Sequence, residues 1–321
     1  PMATPYLIGV LRLKLEPTVA VSQKGQLTNP DARIALAEPS AVTRLEQYAS
    51  SFQGLTSGDN PRFFQFHWES SELGENWAPM QSAAIDGPNA SGRELVLLWE
   101  RGEGALVEVL GEGVKGRPIW GKKGITIGQM RELPASGYDG VPYDMSCAAI
   151  VPKKAELLPA IWTFCSSPEY NEAVRQIDQK VNVTNATLVK VPFDLAHWQK
   201  VAAERYPNGL PKPYSDAPTQ WLFHGHPQPA TDPLQVAVAR LAGYRWPAET
   251  DAAMELADEA RTWIARCDKL AEHTDDDGIV CLPSVRGEAP AHDRLLKLLI
   301  AAWETAQPGS WKPAVLDKLL A

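Results

Sequence analysis

Glycine and proline are so frequent between residues 95 and 151 that only short elements of secondary structure fit there. Glycine permits sharp turns and proline cannot continue a regular ladder, so the apolar runs between them end after a few residues. An aromatic strand is predicted just before this region, at 63–68. Within it the pattern predicts short strands at 95–100, 105–110, 118–120, 125–127 and 147–151. We therefore expect a curved, irregular and largely antiparallel sheet.

Helical patterns follow the predicted sheet. Apolar residues at helical spacing predict a helix at 156–165, and a second helix begins with Ser167 as its cap and Pro168 in its first turn. A polar turn at 182–187 precedes a predicted short strand at 188–192. The remaining helices are predicted at 40–51, 233–243, 247–273, 289–306 and 312–321.

Proline punctuation also divides the chain. Residues 207–233 contain seven prolines and are predicted to be a linker or a long surface connection. The resulting division is a connecting segment at 1–50, a sheet-and-helix domain at 51–206, a linker at 207–232 and an acidic helical domain at 233–321. The fold class is predicted as α+β: a twisted, mostly antiparallel sheet with packed helices, followed by a helical domain. Because the chain stops within an apolar helical pattern, we expect it to be a piece of a longer protein.

The charge of the chain is unevenly distributed. The net charge is −8, which by itself argues against a nucleic-acid partner. Residues 231–321 account for −5 of it, with 10 basic and 15 acidic side chains. By contrast, residues 115–131 contain no acid and five basic side chains, which are Lys115, Arg117, Lys122, Lys123 and Arg131. Such a run either contacts nucleic-acid phosphates or forms a solvated hairpin tip, and the residues alone leave both possibilities open.

No catalytic or cofactor motif is complete. Glycines at 111, 113 and 116 match a dinucleotide-binding spacing, but Arg-Pro and a predicted strand follow where a helix is required. His224-Gly225-His226, with Asp232 downstream, could seed a metal site or simply be part of a polar loop, which the pattern favours. We therefore predict no catalytic residue, no metal and no cofactor in this chain. The four cysteines form no close pair and are predicted to be reduced and buried in a cytoplasmic protein without a membrane span.

A set of segments resembles one protein family. The segments are GLTSGDNPRF at 54–63, WERG at 99–102, GRPIWGKKGI at 116–125, YDMSCAAIVPK at 143–153, FCSSPE at 164–169 and VTNATLVKVP at 183–192. Their order and spacing resemble the C-terminal, target-recognition part of large adenine-specific DNA methyltransferases. These enzymes belong to restriction–modification systems and to phage-defence systems of the DISARM and BREX type.

The resemblance implies a function and a set of partners. In the family, S-adenosylmethionine supplies the methyl group and the target adenine is flipped out of the duplex. The cofactor fold and the Asn-Pro-Pro-Tyr-type tetrad lie N-terminal to this region in the family. The chain would then be the target-recognition domain at 51–206, which positions adenine for a methyltransferase domain elsewhere. Double-stranded DNA is the implied partner, together with that missing domain and other defence-system subunits. Whether the chain itself is an enzyme stays open.

The resemblance also implies the residues at the DNA. Lys122, Lys123 and Arg117 would contact phosphates or bases, while Trp120 either packs or stacks. The same surface would include Lys115, Arg131 and, more weakly, Arg62. For four residues of the polar turn two roles stay open: contact with DNA, or helix capping and local turn bonds. These residues are Asn182, Thr184, Asn185 and Thr187. Two alternatives remain: a docking module whose acidic helices bind partner proteins, and a hydrolase that uses His224 and His226.

Overall fold

The computed structural model describes residues 22–27, 43–70, 73–84 and 91–320. These residues form an α+β fold, which confirms the predicted class. The connecting segment predicted at 1–50 lies mostly outside the described residues. No helix in the described ranges is long and apolar enough to cross a membrane.

The strands form two antiparallel sheets. The larger sheet has the order β1-β7-β5-β6 and the smaller one the order β2-β4-β3. In the larger sheet, Ile125 pairs with Ile150 at the centre. The strands are β1 Ala49–Gln53, β2 Phe64–Phe66, β3 Trp77–Met80, β4 Leu95–Leu98, β5 Gly124–Gly128, β6 Ala135–Tyr138 and β7 Cys147–Pro152.

Helices follow and surround these sheets. In chain order the described α-helices are α1 Gln23–Gln26, α2 Asn60–Phe63, α3 Ala105–Leu110, α4 Leu158–Cys165, α5 Pro168–Ile177, α6 Leu195–Arg205, α7 Pro233–Leu241, α8 Pro247–Thr250, α9 Asp258–Cys267, α10 Ala291–Ala306 and α11 Pro313–Leu320. The predicted cap of α5 is present, since the Ser167 hydroxyl accepts a hydrogen bond from the Tyr170 amide at 3.4 Å. This bond satisfies one of the amides that a helix start leaves unpaired.

The main core lies between the larger sheet and α4, α5 and α6. Ile125 and Ile127 of β5 face Ile161 and Phe164 of α4 within one cluster of buried apolar side chains. Burial of such side chains contributes roughly 1.5–3 kcal/mol each. Three of the four cysteines, Cys147, Cys165 and Cys267, are buried, as the sequence predicts, whereas Cys281 is half-buried.

The proline-rich stretch is interior in part, since residues 220–227 are buried whereas 207–209 and 211–212 are exposed. Trp221, Leu222 and Phe223 are at most 1% exposed, so the prediction of an exposed segment is wrong for them. Backbone hydrogen bonds fix Trp221 on both sides: its amide donates to the Arg93 carbonyl and its carbonyl accepts from the Ala248 amide. The stretch therefore joins the sheet domain to the helices, while the predicted boundaries at 207 and 232 stay a prediction.

Several predicted elements differ from the structure. The chain forms helix α3 at 105–110 rather than a strand. Leu106 is buried there, and the Glu100 carboxylate accepts a hydrogen bond from the Ala105 amide at 3.0 Å. Residues 117–119 and 185–189 form 3-10 turns where strands at 118–120 and 188–192 are predicted.

Two predicted helices are also wrong in part. The described end of the helix at 40–51 is a 3-10 turn followed by β1, because Ala49 pairs with Pro152 of β7. The helix at 247–273 is interrupted between α8 and α9. There the Arg261 guanidinium holds a loop by hydrogen bonds to the backbone carbonyls of Ala252 and Met254.

Candidate nucleic-acid interface

The most basic part of the chain is a loop that leads into β5, and residues 115–123 are called the basic loop below. Its first bend is made by Gly116, whose φ of 80° lies in the left-handed region. A Cβ at this position would lie 2.9 Å from the Tyr143 ring, so only glycine fits. Ile119, three residues on, is 1% exposed and anchors the loop in the core. The loop is therefore held against the larger sheet.

A second pair of glycines holds the other end of the basic loop. The Gly121 amide donates to the Gly140 carbonyl at 2.8 Å. The two backbones are so close that a Cβ on Gly140 would lie 2.6 Å from the Gly121 Cα. The Lys122 amide then donates to the Ile119 carbonyl at 3.0 Å. These contacts fix the backbone from which Lys122 and Lys123 project.

Two tryptophans support the loop from the side of the smaller sheet. The rings of Trp99 and Trp120 meet edge to face, with centroids 4.8 Å apart. The Arg117 guanidinium carbon lies 5.5 Å from the Trp99 ring centroid, a cation–π distance. Trp120 is half-buried and packs against apolar clusters of both sheets, while its stacking on DNA stays a prediction.

The cations of the basic loop are exposed and mostly unpaired. Lys115, Arg117 and Lys122 make no ion pair within the described residues. Lys123 differs, since its Nζ lies 2.7 Å from Glu255 Oε1 of the helical part, with 61% and 37% of the two side chains exposed. An exposed pair of this kind contributes only about 0–1 kcal/mol and is screened by salt. The loop thus offers up to four positive charges to an anionic partner.

Arg131 lies apart from the other cations. It follows β5, whereas the basic loop precedes this strand, so the acid-free run is divided between the two ends of the strand. Arg131 adopts a φ of 54°, and its carbonyl accepts a hydrogen bond from Arg175 at 2.6 Å. Arg175 also donates to the Lys180 carbonyl, so these side chains flank one shallow groove. Sequence analysis missed Arg175 and Lys180, whose only signal was their place near the end of the predicted helix.

Arg62 lies next to an apolar cluster that also supports the basic loop. Its guanidinium carbon is 5.0 Å from the ring centroid of Phe63, and its side chain is exposed. Phe63 belongs to the apolar cluster that also contains Val114 and Trp120. Arg62 is therefore a further exposed cation next to the apolar cluster on which Trp120 packs.

The polar turn lies beside Arg131 rather than beside the basic loop. Val183 and Gln129 exchange hydrogen bonds, at 2.9 and 2.7 Å, which ties the turn to the end of β5. Thr187 is fully buried and its hydroxyl lies 3.4 Å from Asp178 Oδ2, so the assignment of Thr187 to the DNA surface is wrong. Thr184 contacts the same carboxylate with its amide at 3.3 Å. Both threonines are therefore engaged in local hydrogen bonds to Asp178, and the Thr184 side chain makes no capping bond to the turn that it begins.

Asn182 and Asn185 remain accessible on this turn. Asn182 is exposed and Asn185 is half-buried. Together with Arg131, they place the second group of predicted residues at the opposite end of β5 from the basic loop. The predicted DNA-binding residues therefore form two separate surfaces, of which the basic loop carries the denser positive charge.

The two histidines of the His-Gly-His segment are interior. Burial lowers the pKa of both His224 and His226 to about 3, with smaller contributions from the nearby positive charge of Arg240 and, for His224, from His226. No group of three metal-ligating side chains is present in the described ranges. Gly225 between them accepts hydrogen bonds from Arg240, which pairs with Glu249 at 2.6 Å. The segment is a polar loop, as the sequence favours, but it is buried between the sheet domain and the helices.

Comparison with known proteins finds one structural similarity of low score. No protein-family model and no curated protein matches the chain. Among solved structures, it is similar to one described as the Type IIL restriction-modification enzyme MmeI in complex with DNA. The TM-score is 0.31 and the sequence identity 11%, over 89% of this chain and 37% of that one. The chain thus spans little more than a third of that enzyme's length, and a similarity of this size carries no argument about function.

Proposed function

We propose that this chain binds duplex DNA through the basic loop, as the target-recognition part of an adenine-specific DNA methyltransferase of a restriction–modification or phage-defence system. The catalytic domain and the S-adenosylmethionine site belong, in this proposal, to a part of the protein outside this sequence. The observation that carries the proposal is a loop of fixed backbone with four cations, three of which lack an ion-pair partner within the described residues.

The physical basis is the entropy of DNA binding. Lysine and arginine side chains that neutralise phosphates release condensed counterions, and this supplies most of the sequence-independent affinity. A loop that is already ordered loses little backbone freedom on binding, so more of this gain appears as affinity. Gly116 and Gly121 permit the backbone conformation on which this order depends.

Regional charge favours one orientation of DNA. The helical part at 231–321 has a net charge of −5 and repels phosphates, whereas the basic loop attracts them. Glu255 is one contact between the acidic part and the basic loop, since it pairs with Lys123. The duplex would therefore lie against the loop and extend away from α9 and α10.

A second candidate function is docking of a partner protein. The loop between α9 and α10 exposes Ile279, Leu282 and Val285, whose exposed fractions are 67%, 79% and 43%. In this alternative the three side chains form one apolar contact surface, which is the kind of surface that protein partners cover. In this alternative the helical part binds another subunit and DNA contact is incidental.

An electrophoretic mobility shift with a labelled duplex at low salt tests the proposal. We expect the wild-type chain to shift the duplex and the double variant Lys122→Ala, Lys123→Ala to bind at least tenfold more weakly, on the scale of two phosphate contacts. The matched control is Lys200→Ala, Lys269→Ala, which removes two exposed lysines outside the basic loop. Equal binding by the two double variants, or no shift by the wild type, would contradict DNA recognition by this loop.

A further inference from the structure

One ion pair joins the basic loop to the helical part of the chain. Lys123 Nζ lies 2.7 Å from Glu255 Oε1, which is the distance of a charge-assisted hydrogen bond. The other cations of the loop, Lys115, Arg117 and Lys122, make no such pair within the described ranges. The carboxylate of Glu255 thus occupies one of the four positive groups that the proposed function assigns to phosphates.

The backbone on the lysine side of this pair is fixed. Gly124, which follows Lys123, begins β5 so close to its neighbouring strand that a Cβ there would lie 2.5 Å from the Ile150 carbonyl oxygen. Before the lysine, the Gly121 amide donates to the Gly140 carbonyl at 2.8 Å. Lys123 is therefore held between two close backbone contacts, and only its side chain is free to move.

The backbone on the carboxylate side is fixed as well. Glu255 lies in the connection between α8 and α9, where the Met254 carbonyl accepts a hydrogen bond from the Arg261 guanidinium. Leu256, its other neighbour, is 4% exposed and belongs to an apolar cluster with Trp221. Because both backbones are held, the ion pair forms without ordering a loop, and the entropy lost is that of two side chains.

A phosphate at Lys123 competes with this carboxylate. The ammonium group has three N–H donors and could serve both acceptors, but their oxygens would then lie within about 6 Å of each other. Two negative groups at that distance repel, so the duplex gains most from Lys123 when the carboxylate moves away. The pair can be broken in this way because both side chains are exposed, and exposed ion pairs are weak.

We propose that Glu255 is an autoinhibitory residue, which holds Lys123 in the absence of DNA and must release it before this lysine neutralises a phosphate. The proposal rests on the proposed binding of duplex DNA by the basic loop. It implies that the wild-type chain binds duplex DNA less tightly than its cations allow. Removal of the carboxylate should therefore raise the affinity, whereas loss of a merely structural ion pair would leave the affinity unchanged or lower it.

Fluorescence anisotropy with a labelled duplex at low salt tests the proposal. We expect Glu255→Gln to raise the association constant about three- to fivefold, which is the scale of one exposed ion pair, and the gain should shrink as salt screens that pair. The matched control is Asp258→Asn, which removes an acidic charge from the same helical part. Its partner Lys212, at 3.6 Å, lies outside the basic loop, so the association constant should change by less than about twofold.

A double-mutant cycle with Lys123→Ala separates the contact from a general effect of charge. Lys123→Ala should weaken duplex binding more in the Glu255→Gln background than in the wild type. In the wild type the phosphate contact replaces an ion pair, whereas in Glu255→Gln it replaces none, so the two substitutions are coupled. Thermal unfolding of each variant shows that the fold is retained.

The outcomes separate this proposal from the proposed function. Unchanged or weaker binding by Glu255→Gln, or an equal loss from Lys123→Ala in both backgrounds, would overturn the autoinhibitory role while duplex binding by the wild type stands. If neither the wild type nor Glu255→Gln binds the duplex, the proposed function fails and the autoinhibitory role fails with it.

Discussion

Replacing Gly140 by alanine should displace the backbone of the basic loop without removing any charge from it. Gly140 has a φ of 96°, and an alanine Cβ would lie 2.6 Å from both the Cα and the N of Gly121. The left-handed backbone costs about 1–2 kcal/mol for an L-residue. Because the collision is with backbone atoms, the loop must move, and overpacking of this kind costs about 1–3 kcal/mol more. We therefore expect Gly140→Ala to lower the free energy of unfolding by about 2–5 kcal/mol.

Gly121→Ala is the matched control, because Gly121 has a similar φ of 78° but a Cβ there would meet no atom within 4 Å. It should cost only the backbone part, about 1–2 kcal/mol. Urea unfolding followed by tryptophan fluorescence measures both values, and fluorescence anisotropy with a labelled duplex measures binding. We expect Gly140→Ala also to weaken DNA binding although every lysine and arginine is retained. Equal unfolding free energies for the two variants would refute the close approach of Gly121 and Gly140 and its role in holding the loop.

Three further predictions concern the interior. Arg240→Met should lower the free energy of unfolding by about 3–5 kcal/mol, because it removes the fully buried partner of Glu249 and leaves that carboxylate with the longer contact to Arg245 at 4.0 Å. A change below about 1 kcal/mol in urea unfolding would contradict this role of the Arg240–Glu249 pair. Acid should destabilise the protein, because burial lowers the pKa of three histidines from 6.5 to about 4 or 3 and the unfolded state therefore binds more protons. Their contribution to the free energy of unfolding should be complete above pH 6.5. Below that pH it should fall by up to about 1.4 kcal/mol per histidine and pH unit. A urea midpoint that stays constant from pH 7 to pH 5 would contradict the burial of the three histidines, which are His67, His224 and His226. Thr187→Val should lower the free energy of unfolding by about 1 kcal/mol through the lost hydrogen bond to Asp178 and leave duplex affinity unchanged. A loss of duplex affinity in the anisotropy assay would instead indicate that Thr187 contacts DNA.

Apolar spacing, helix caps and turn residues predicted the elements whose structure depends on residues near them in the sequence. Helices α4 and α5 follow from apolar spacing and from the cap at Ser167, and strands β5 and β7 follow from short apolar runs between turn residues. Strand β1 could not be predicted in this way, because its pairing with β7 joins residues about a hundred positions apart. Helix α3 has a strand-like sequence, and its six-residue helix depends on burial of Leu106 and on the Glu100 carboxylate.

The candidate site was likewise predictable only where it depends on residues close together in the sequence. The charge run was visible in the sequence, but its separation into two surfaces was not, because that depends on β5 passing through the interior between Lys123 and Arg131. The ion pair of Lys123 with Glu255 joins residues from regions that the sequence treats as separate domains. His224 was misplaced because proline and glycine usually mark a surface loop, whereas here Trp221 and its neighbours fill the space between the sheet domain and the helices.

The salt dependence of duplex binding tests the central claim most directly. If Lys115, Arg117, Lys122 and Lys123 each neutralise one phosphate, the logarithm of the association constant should fall with the logarithm of salt concentration with a slope of about −3.6. The slope should decrease in magnitude by about 0.9 in Lys122→Ala and stay unchanged in Lys269→Ala. A slope near zero, or the same slope in Lys122→Ala as in the wild type, would contradict recognition of DNA by the basic loop.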